Sequence, residues 1–92
     1  MFSIFYHEKV VRVDIPKLDQ KVKIIIKKAI ETKLAREPYI YGKPLRQALA
    51  GYKKLRVGDY RIIFKISGTD IHILIIAHRS SVYNLADTRI SS

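Results

Sequence analysis

The amino-acid sequence predicts a small α+β domain with an N-terminal strand, two helices and a three-strand meander. Three observations support this fold class: strand-like alternation at the start, helical spacing of apolar residues in the middle, and three apolar strands separated by tight turns near the end. The 92 residues fit one domain, residues 1–92, and their 48% apolar content is enough for a single core. We therefore expect two helices packed on one antiparallel sheet.

The first strand is predicted over residues 2–7, because the side chains of Phe2, Ile4 and Tyr6 alternate with those of Ser3, Phe5 and His7. A short helix is expected over residues 8–13. Pro16 should end it, because proline disfavours helical geometry in the residue before it.

The longest helix is predicted to begin after Asp19, whose carboxylate suits the N-cap position. Its apolar residues recur with helical spacing and should face the sheet: Val22, Ile25, Ile26, Ala29, Ile30 and Leu34. Five lysines occupy the remaining surface, which we interpret as a solvated face: Lys21, Lys23, Lys27, Lys28 and Lys33.

A connecting loop and three strands complete the predicted fold. The loop covers residues 36–44, and Tyr39, Ile40 and Tyr41 are expected to hold it to the body. The strands should pair antiparallel, because short turns separate them, and they cover residues 52–57, 60–66 and 71–77.

The composition restricts the possible functions. Eighteen Lys and Arg against eight Asp and Glu give a net charge of +10, which attracts polyanions such as nucleic acid or an acidic protein, unless the charge only keeps the protein soluble. The absence of cysteine excludes disulfides, thiolate metal sites and cysteine nucleophiles. No apolar run is long enough for a membrane span and the first residues lack a secretory pattern, so we expect a cytoplasmic protein.

Alternation along two neighbouring strands gathers basic side chains on the sheet face away from the long helix. That face should carry Tyr52, Lys54, Arg56, Arg61, Ile63 and Lys65. Between residues 43 and 65, Asp59 is the only acid against seven Lys and Arg. Adjacent like charges destabilise a sheet, so either an external anion binds here or the cations extend into water.

Polar side chains also follow the last strand abruptly, in the segment Ala77–Tyr83. Taken singly, His78 fits a structural histidine, Arg79 a surface cation and Tyr83 a core ring. Their occurrence together at a strand end instead indicates a functional site.

Three motifs in this region, YGKPL, GYKKLRVGDYRIIF and HRSSVY, resemble the RelE/StbE branch of the RelE/ParE toxin superfamily. The N-terminal strand and helices fit the same plan, so the resemblance covers nearly the whole chain. It implies a RelE-like, microbial-ribonuclease-like fold and a toxin of a type II toxin–antitoxin system that cleaves mRNA in the ribosomal A site. It also implies a labile, acidic antitoxin that forms a hetero-oligomer with the toxin.

The resemblance implies five catalytic residues: Lys54, Arg61, His78, Arg79 and Tyr83. Arg61 and Arg79 would hold the phosphate, and Lys54 would activate the 2′-hydroxyl of the RNA. Tyr83 would transfer a proton or stack on a base, and His78 would act as the acid if it faces the cleft.

The remaining candidates are RNA-binding residues, namely Tyr52, Arg56 and Lys65. We expect no metal and no cofactor, because RNA supplies its own nucleophile. Two alternatives stay open: a ParE-like inhibitor of DNA gyrase, against which the HRSSVY ending argues, and an RNA- or ribosome-binding module without catalysis.

Overall fold

The computed structural model describes residues 1–91. Strand β1 (Ser3–Tyr6) leads into helix α1 (residues 8–17), which contains the π-helical turn Val10–Asp14. Helix α2 (Gln20–Ala29) continues through a second π-helical turn, Ile30–Leu34. The remaining elements are α3 (Pro38–Tyr41), β2 (Lys43–Pro44), the 3₁₀ turn Gln47–Leu49, β3 (Lys53–Val57), β4 (Tyr60–Ser67), β5 (Asp70–His78) and α4 (Val82–Ser91).

The five strands form one sheet in the order β1-β5-β4-β3-β2. Strands β2 to β5 pair antiparallel, whereas β1 joins β5 in parallel. The predicted α+β class and the three-strand meander are confirmed. The sheet is mixed rather than purely antiparallel, because helices α1 and α2 separate β1 from the meander and return the chain to the same end of the sheet.

Helices cover both faces of this sheet. Buried residues of α1 and α2 pack with Leu55, Ile62 and Phe64 on one face, which we call the α2 face. On the opposite face, called the α4 face, Val82 and Ala86 of α4 pack on the central strands. The sequence interpretation did not include α4, so it missed this third layer.

A β-bulge in β5 decides which side chains reach each face. Ile63 pairs with Ile75 and Phe64 pairs with Ile73, so Leu74 is an extra residue in β5. Beyond the bulge the alternation of β5 is reversed. His78 therefore pairs with Tyr60 and shares its side of the sheet, the α2 face.

Helix α1 runs past Pro16, contrary to the prediction that proline would end it. Ile15 keeps helical dihedral angles, φ −61° and ψ −44°, and its N–H bonds to the carbonyl oxygen of Val10, five residues back. This π-helical register already departs from the i−4 hydrogen bonds that a proline disrupts. The helix ends at Lys17, where Leu18 becomes extended.

The start of α2 agrees with the sequence interpretation, since an Asp19 carboxylate oxygen accepts a hydrogen bond from the Val22 N–H at 2.9 Å. Ile25, which was expected to face the sheet, is instead 52% exposed. The buried face of α2 is therefore narrower than the sequence pattern predicted.

The predicted connecting loop contains α3 and β2. Tyr39 and Tyr41 contact the body as expected although both remain partly exposed: Tyr39 makes an edge contact with Phe2, and Tyr41 lies beside Lys33. Ile40 is 71% exposed and does not hold the segment. Pro38 is buried as well, and Gly42 lies so close to Phe64 that a Cβ atom there would be 2.5 Å from its ring. A proline and a glycine therefore also anchor this segment. Within residues 1–91, no helix is long and apolar enough to cross a bilayer.

Candidate active site on the α4 face

The centre of the candidate site is a contact between β3 and α4. The Lys54 Nζ donates a hydrogen bond to the Tyr83 hydroxyl oxygen at 3.3 Å and lies 5.8 Å from the centre of the tyrosine ring. Tyr83 is in the first turn of α4 and remains 37% exposed. The pair therefore presents an ammonium and a phenol together to solvent.

A buried ion pair fixes the helix that carries Tyr83. Arg89 Nη1 is 2.6 Å from one Asp14 carboxylate oxygen, and Arg89 Nη2 is 3.1 Å from the other. The same groups satisfy backbone atoms of β5: Arg89 donates to the Leu74 carbonyl, and Asp14 accepts from the Ile76 N–H. Strand β1 pairs with β5 only at residues 70–73. Beyond that point the ion pair takes the place of a neighbouring strand, because it satisfies backbone groups of β5 that β1 does not reach.

Arg61 is held by the turn between β3 and β4. Its Nη1 donates to the carbonyl oxygens of Gly58 and Tyr60, both at 2.9 Å. An arginine has five N–H donors, so the other nitrogens of this guanidinium retain donors that can reach a phosphate. The turn thus orients Arg61 without using up its binding capacity.

Arg61 and Lys54 also line a cavity of about 300 Å³ at the β2–β3 edge. We call it the basic cavity, and it is lined by Lys33, Tyr41, Lys43, Lys54, Leu55, Arg56 and Arg61. Among these described residues, five are basic and none is acidic. Such a cavity attracts a phosphate group, because no carboxylate neutralises its field.

Arg79 lies at the same end of the sheet as Arg61. Its backbone N–H donates to the Asp59 carbonyl oxygen at 2.8 Å, and its Nε is 3.9 Å from the Asp59 carboxylate. Both side chains of this ion pair are mostly exposed, so the contact is weak and leaves the guanidinium available. The β3–β4 turn therefore brings Arg61 and Arg79 to one edge.

The structure does not bring His78 to this site. Its ring makes an edge contact with Tyr60 on the α2 face, with ring centres 5.7 Å apart. Its Nδ1 accepts the Ser80 N–H at 3.1 Å and lies 2.9 Å from the Ser80 hydroxyl. The acid role of His78 depended on its facing the cleft, and the bulge at Leu74 turns its ring to the opposite face.

The three predicted RNA-binding residues divide between two places. Arg56 lines the basic cavity, whereas Lys65 lies beside Tyr52, with its Nζ 5.8 Å from the centre of that ring. The sequence interpretation missed Lys33 and Lys43. Lys33 was assigned to a solvated helix face, but it lies in the π-helical turn, 5.5 Å from the centre of the Tyr41 ring.

Within residues 1–91, no group of three or more His, Cys, Asp or Glu side chains is arranged to hold a metal ion.

Sequence comparisons identify the family. The sequence model described as "ParE toxin of type II toxin-antitoxin system, parDE" matches residues 6–83. Toxin RelG of Mycobacterium tuberculosis is 36% identical over 74 residues, which cover 78% of this chain and 85% of the relative. Toxin RelE of the same organism is 32% identical over 78 residues, with coverage of 83% and 80%.

Solved structures agree with these matches. The toxin–antitoxin complex RelBE2 from Mycobacterium tuberculosis contains a chain similar to this one, with a TM-score of 0.79, 32% identity and coverage of 85% of this chain and 98% of that chain. The isolated E. coli RelE toxin has the same fold, with a TM-score of 0.71 and 21% identity over 98% of this chain and 99% of that chain. The protein therefore belongs to the ParE/RelE family of type II toxin–antitoxin systems as a RelE-type toxin.

Proposed function

We propose that this toxin is a metal-independent endoribonuclease that cleaves mRNA in the ribosomal A site and thereby inhibits translation. The observation that carries the proposal is the contact between Lys54 and Tyr83, 3.3 Å apart on the sheet face that also carries Arg61. RNA supplies the nucleophile in its 2′-hydroxyl, so the protein has only to align it, transfer protons and stabilise charge.

In the proposed reaction, the 2′ oxygen forms a bond to the adjacent phosphorus and the bond from phosphorus to the 5′ oxygen breaks. The products are a 2′,3′-cyclic phosphate and a 5′-hydroxyl. Water accepts the proton of the 2′-hydroxyl, whose acidity Lys54 increases through its positive charge. Tyr83 gives its proton to the departing 5′ oxygen, and Lys54 stabilises the phenolate that remains.

Arg61 and Arg79 stabilise the negative charge that grows on the phosphate. Guanidinium groups suit this role, because their planar N–H donors match phosphate oxygens. Both residues contact the β3–β4 turn, which holds Arg61 by hydrogen bonds and keeps Arg79 nearby through a weak ion pair.

Dependence on the ribosome follows from the weak acid–base chemistry of the site. No carboxylate lines the basic cavity among its described residues, so no strong general base is available there. Without such a base, most of the rate must come from alignment of the 2′-hydroxyl with the phosphate, which the ribosome can impose on the message.

The proposed partners are the ribosome with its mRNA and an acidic antitoxin, with which the toxin would form a hetero-oligomer in the cytoplasm. The RelBE2 structure of Mycobacterium tuberculosis is a toxin–antitoxin complex, and its toxin-like chain is 32% identical to this one. The net charge of +10 favours an acidic segment that folds on binding.

Primer extension in bacteria that express the toxin tests the activity. A translated and an untranslated copy of one message are compared, with Arg61→Ala as the inactive variant. Arg12→Ala is the matched control, because Arg12 is an exposed arginine on α1 that pairs with Glu8. Codon-registered cuts only in the translated copy, lost in Arg61→Ala and kept in Arg12→Ala, would support the proposal.

Gyrase inhibition is the second candidate, because the matching family model carries the ParE description. Growth arrest with intact messages and gyrase-dependent DNA damage would favour it. Salt-sensitive RNA binding without cleavage or DNA damage would instead favour a binding module without catalysis.

A further inference from the structure

A row of flat and cationic side chains crosses the α4 face beside the candidate active site. Phe5 of β1 pairs with His72 of β5, and His72 pairs with Lys65 of β4. Lys65 in turn lies beside the ring of Tyr52, the residue that precedes β3. We call these four residues the aromatic row.

The rings of the row are accessible and ordered by contact with one another. Phe5 and His72 are stacked, with ring centres 5.4 Å apart and an angle of 19° between their planes. Phe5 is nevertheless 49% exposed, which is uncommon for a phenylalanine that serves only the core. The row therefore presents flat apolar surface to a binding partner.

The aromatic row lines a cavity of about 370 Å³, within the size range of cavities that hold small organic groups. The other lining residues are Tyr6, His7, Ser67, Ile73 and Leu74. Among the described residues that line it, none is acidic, and Lys65 adds a positive charge. Flat rings combined with a cation match the two parts of a nucleotide, its base and its phosphate.

The row is continuous with the candidate active site. Tyr52 packs against the buried cluster of the α4 face, and Lys54 pairs with Ile63 of the same cluster, so both lie on this face. They are two residues apart, which corresponds to about 6.6 Å along an extended chain. We propose that the aromatic row is a stacking subsite for a base of single-stranded RNA close to the cleaved phosphate. This inference rests on the proposed ribonuclease function.

Fluorescence of a Phe5→Trp variant tests the subsite directly. The natural chain has no tryptophan, so the new indole is the only one, and it keeps a flat ring at this position. The probe is a short single-stranded RNA with 2′-O-methyl groups, which binds without being cleaved because its nucleophile is blocked. A stacked base should quench the indole, and the same sugar–phosphate chain without bases should not.

Affinity for the same probe gives a second measurement. Phe5→Ser should weaken binding about 5- to 150-fold, the range expected for losing one base–aromatic stack. Tyr39→Ser is the matched control, because Tyr39 is 64% exposed and lies outside this cavity, and its affinity should stay within about 2-fold of the natural protein. Thermal melting of both variants identifies any loss of folding.

The outcomes separate this inference from the proposed function. Base-dependent quenching in a protein that never cleaves RNA would support base stacking on the aromatic row and refute the nuclease. Cleavage of translated mRNA with equal quenching by RNA and the base-free chain would refute the subsite and leave the nuclease intact. Weaker binding of an acidic antitoxin peptide by Phe5→Ser, with RNA affinity unchanged, would also refute the subsite.

Discussion

Lys54 and Tyr83 are separated by 29 positions in the sequence, yet their ammonium and hydroxyl groups lie 3.3 Å apart. The contact joins a strand of the meander to the C-terminal helix, so both elements must be in place for it to form. It combines a positive charge with a proton donor on one sheet face. This combination suits the proposed cleavage of RNA, because the cation can stabilise negative charge while the phenol supplies a proton.

Replacing Tyr83 with phenylalanine should lower the rate of mRNA cleavage about 10²- to 10⁴-fold, the usual contribution of a proton-transferring group. The ring and its packing remain, so the protein should fold normally. Single-turnover cleavage on ribosomes that hold a defined codon in the A site would measure the effect. Tyr39→Phe, an exposed phenol elsewhere, should keep the full rate. A fully active Tyr83→Phe protein would exclude the phenol as the acid.

Two basic residues that the sequence interpretation did not assign to the site should also affect RNA binding. Lys33→Ser and Lys43→Ser remove charges from the basic cavity, so each should weaken binding and reduce the slope of log affinity against log salt by about 0.7. Lys21→Ser removes the same charge from exposed surface on α2. Equal salt slopes in all three variants would mean that the cavity does not bind phosphate.

Alternation along the strands was sufficient to predict the common face of Lys54 and Arg61. The register confirms it, because Lys54 pairs with Ile63 and Arg56 pairs with Arg61. Period-two patterns are reliable here because the turn between β3 and β4 is short and the pairing between these strands is regular.

The position of His78 could not be predicted in this way. One extra residue, Leu74, reverses the alternation of β5, and a uniformly apolar strand gives no sign of where a bulge occurs. Helix α4 was detectable in principle from the spacing of Val82 and Ala86. Its pattern was hidden because the next buried position is Arg89, a charged residue that depends on Asp14 for burial.

The Asp14–Arg89 ion pair should be important for stability. Asp14→Asn removes the negative charge that faces Arg89 in the interior, which should lower the free energy of unfolding by about 3–5 kcal/mol. Denaturant unfolding would measure this loss. Glu8→Gln, which breaks the exposed Glu8–Arg12 pair, should cost less than about 1 kcal/mol.

The same change tests the role of α4 in the site. Because Arg89 holds the helix that carries Tyr83, Asp14→Asn should also reduce cleavage under conditions where the variant remains folded. Full activity in the folded variant would show that Tyr83 is positioned without the ion pair.

Gly42 should tolerate no side chain. Its φ is −83°, so the backbone alone allows alanine, but a Cβ would lie 2.5 Å from the Phe64 ring and 2.8 Å from the Pro38 carbonyl oxygen. Gly42→Ala should therefore destabilise the protein by about 1–3 kcal/mol through overpacking. A smaller loss of stability from Gly42→Ala in a Phe64→Leu background than in the natural protein would identify the ring as the cause. A normal unfolding midpoint for Gly42→Ala would contradict the close packing.

Stability at alkaline pH should depend on Tyr6. Partial burial of a side chain that is still 42% exposed, together with the nearby Glu31 carboxylate, raises the pKa of Tyr6 in the folded protein above its ordinary value. The folded state therefore favours the neutral phenol. The stability that this preference contributes is fully present below about pH 10 and is lost as the pH rises through the pKa of the folded protein. Tyr6→Phe cannot ionise, so its free energy of unfolding should fall less steeply above about pH 10. Denaturant titrations across this pH range would measure the difference. The control is Tyr39→Phe, which removes another phenol and retains Tyr6. Parallel curves of unfolding free energy against pH for the natural protein and Tyr6→Phe would contradict the raised pKa.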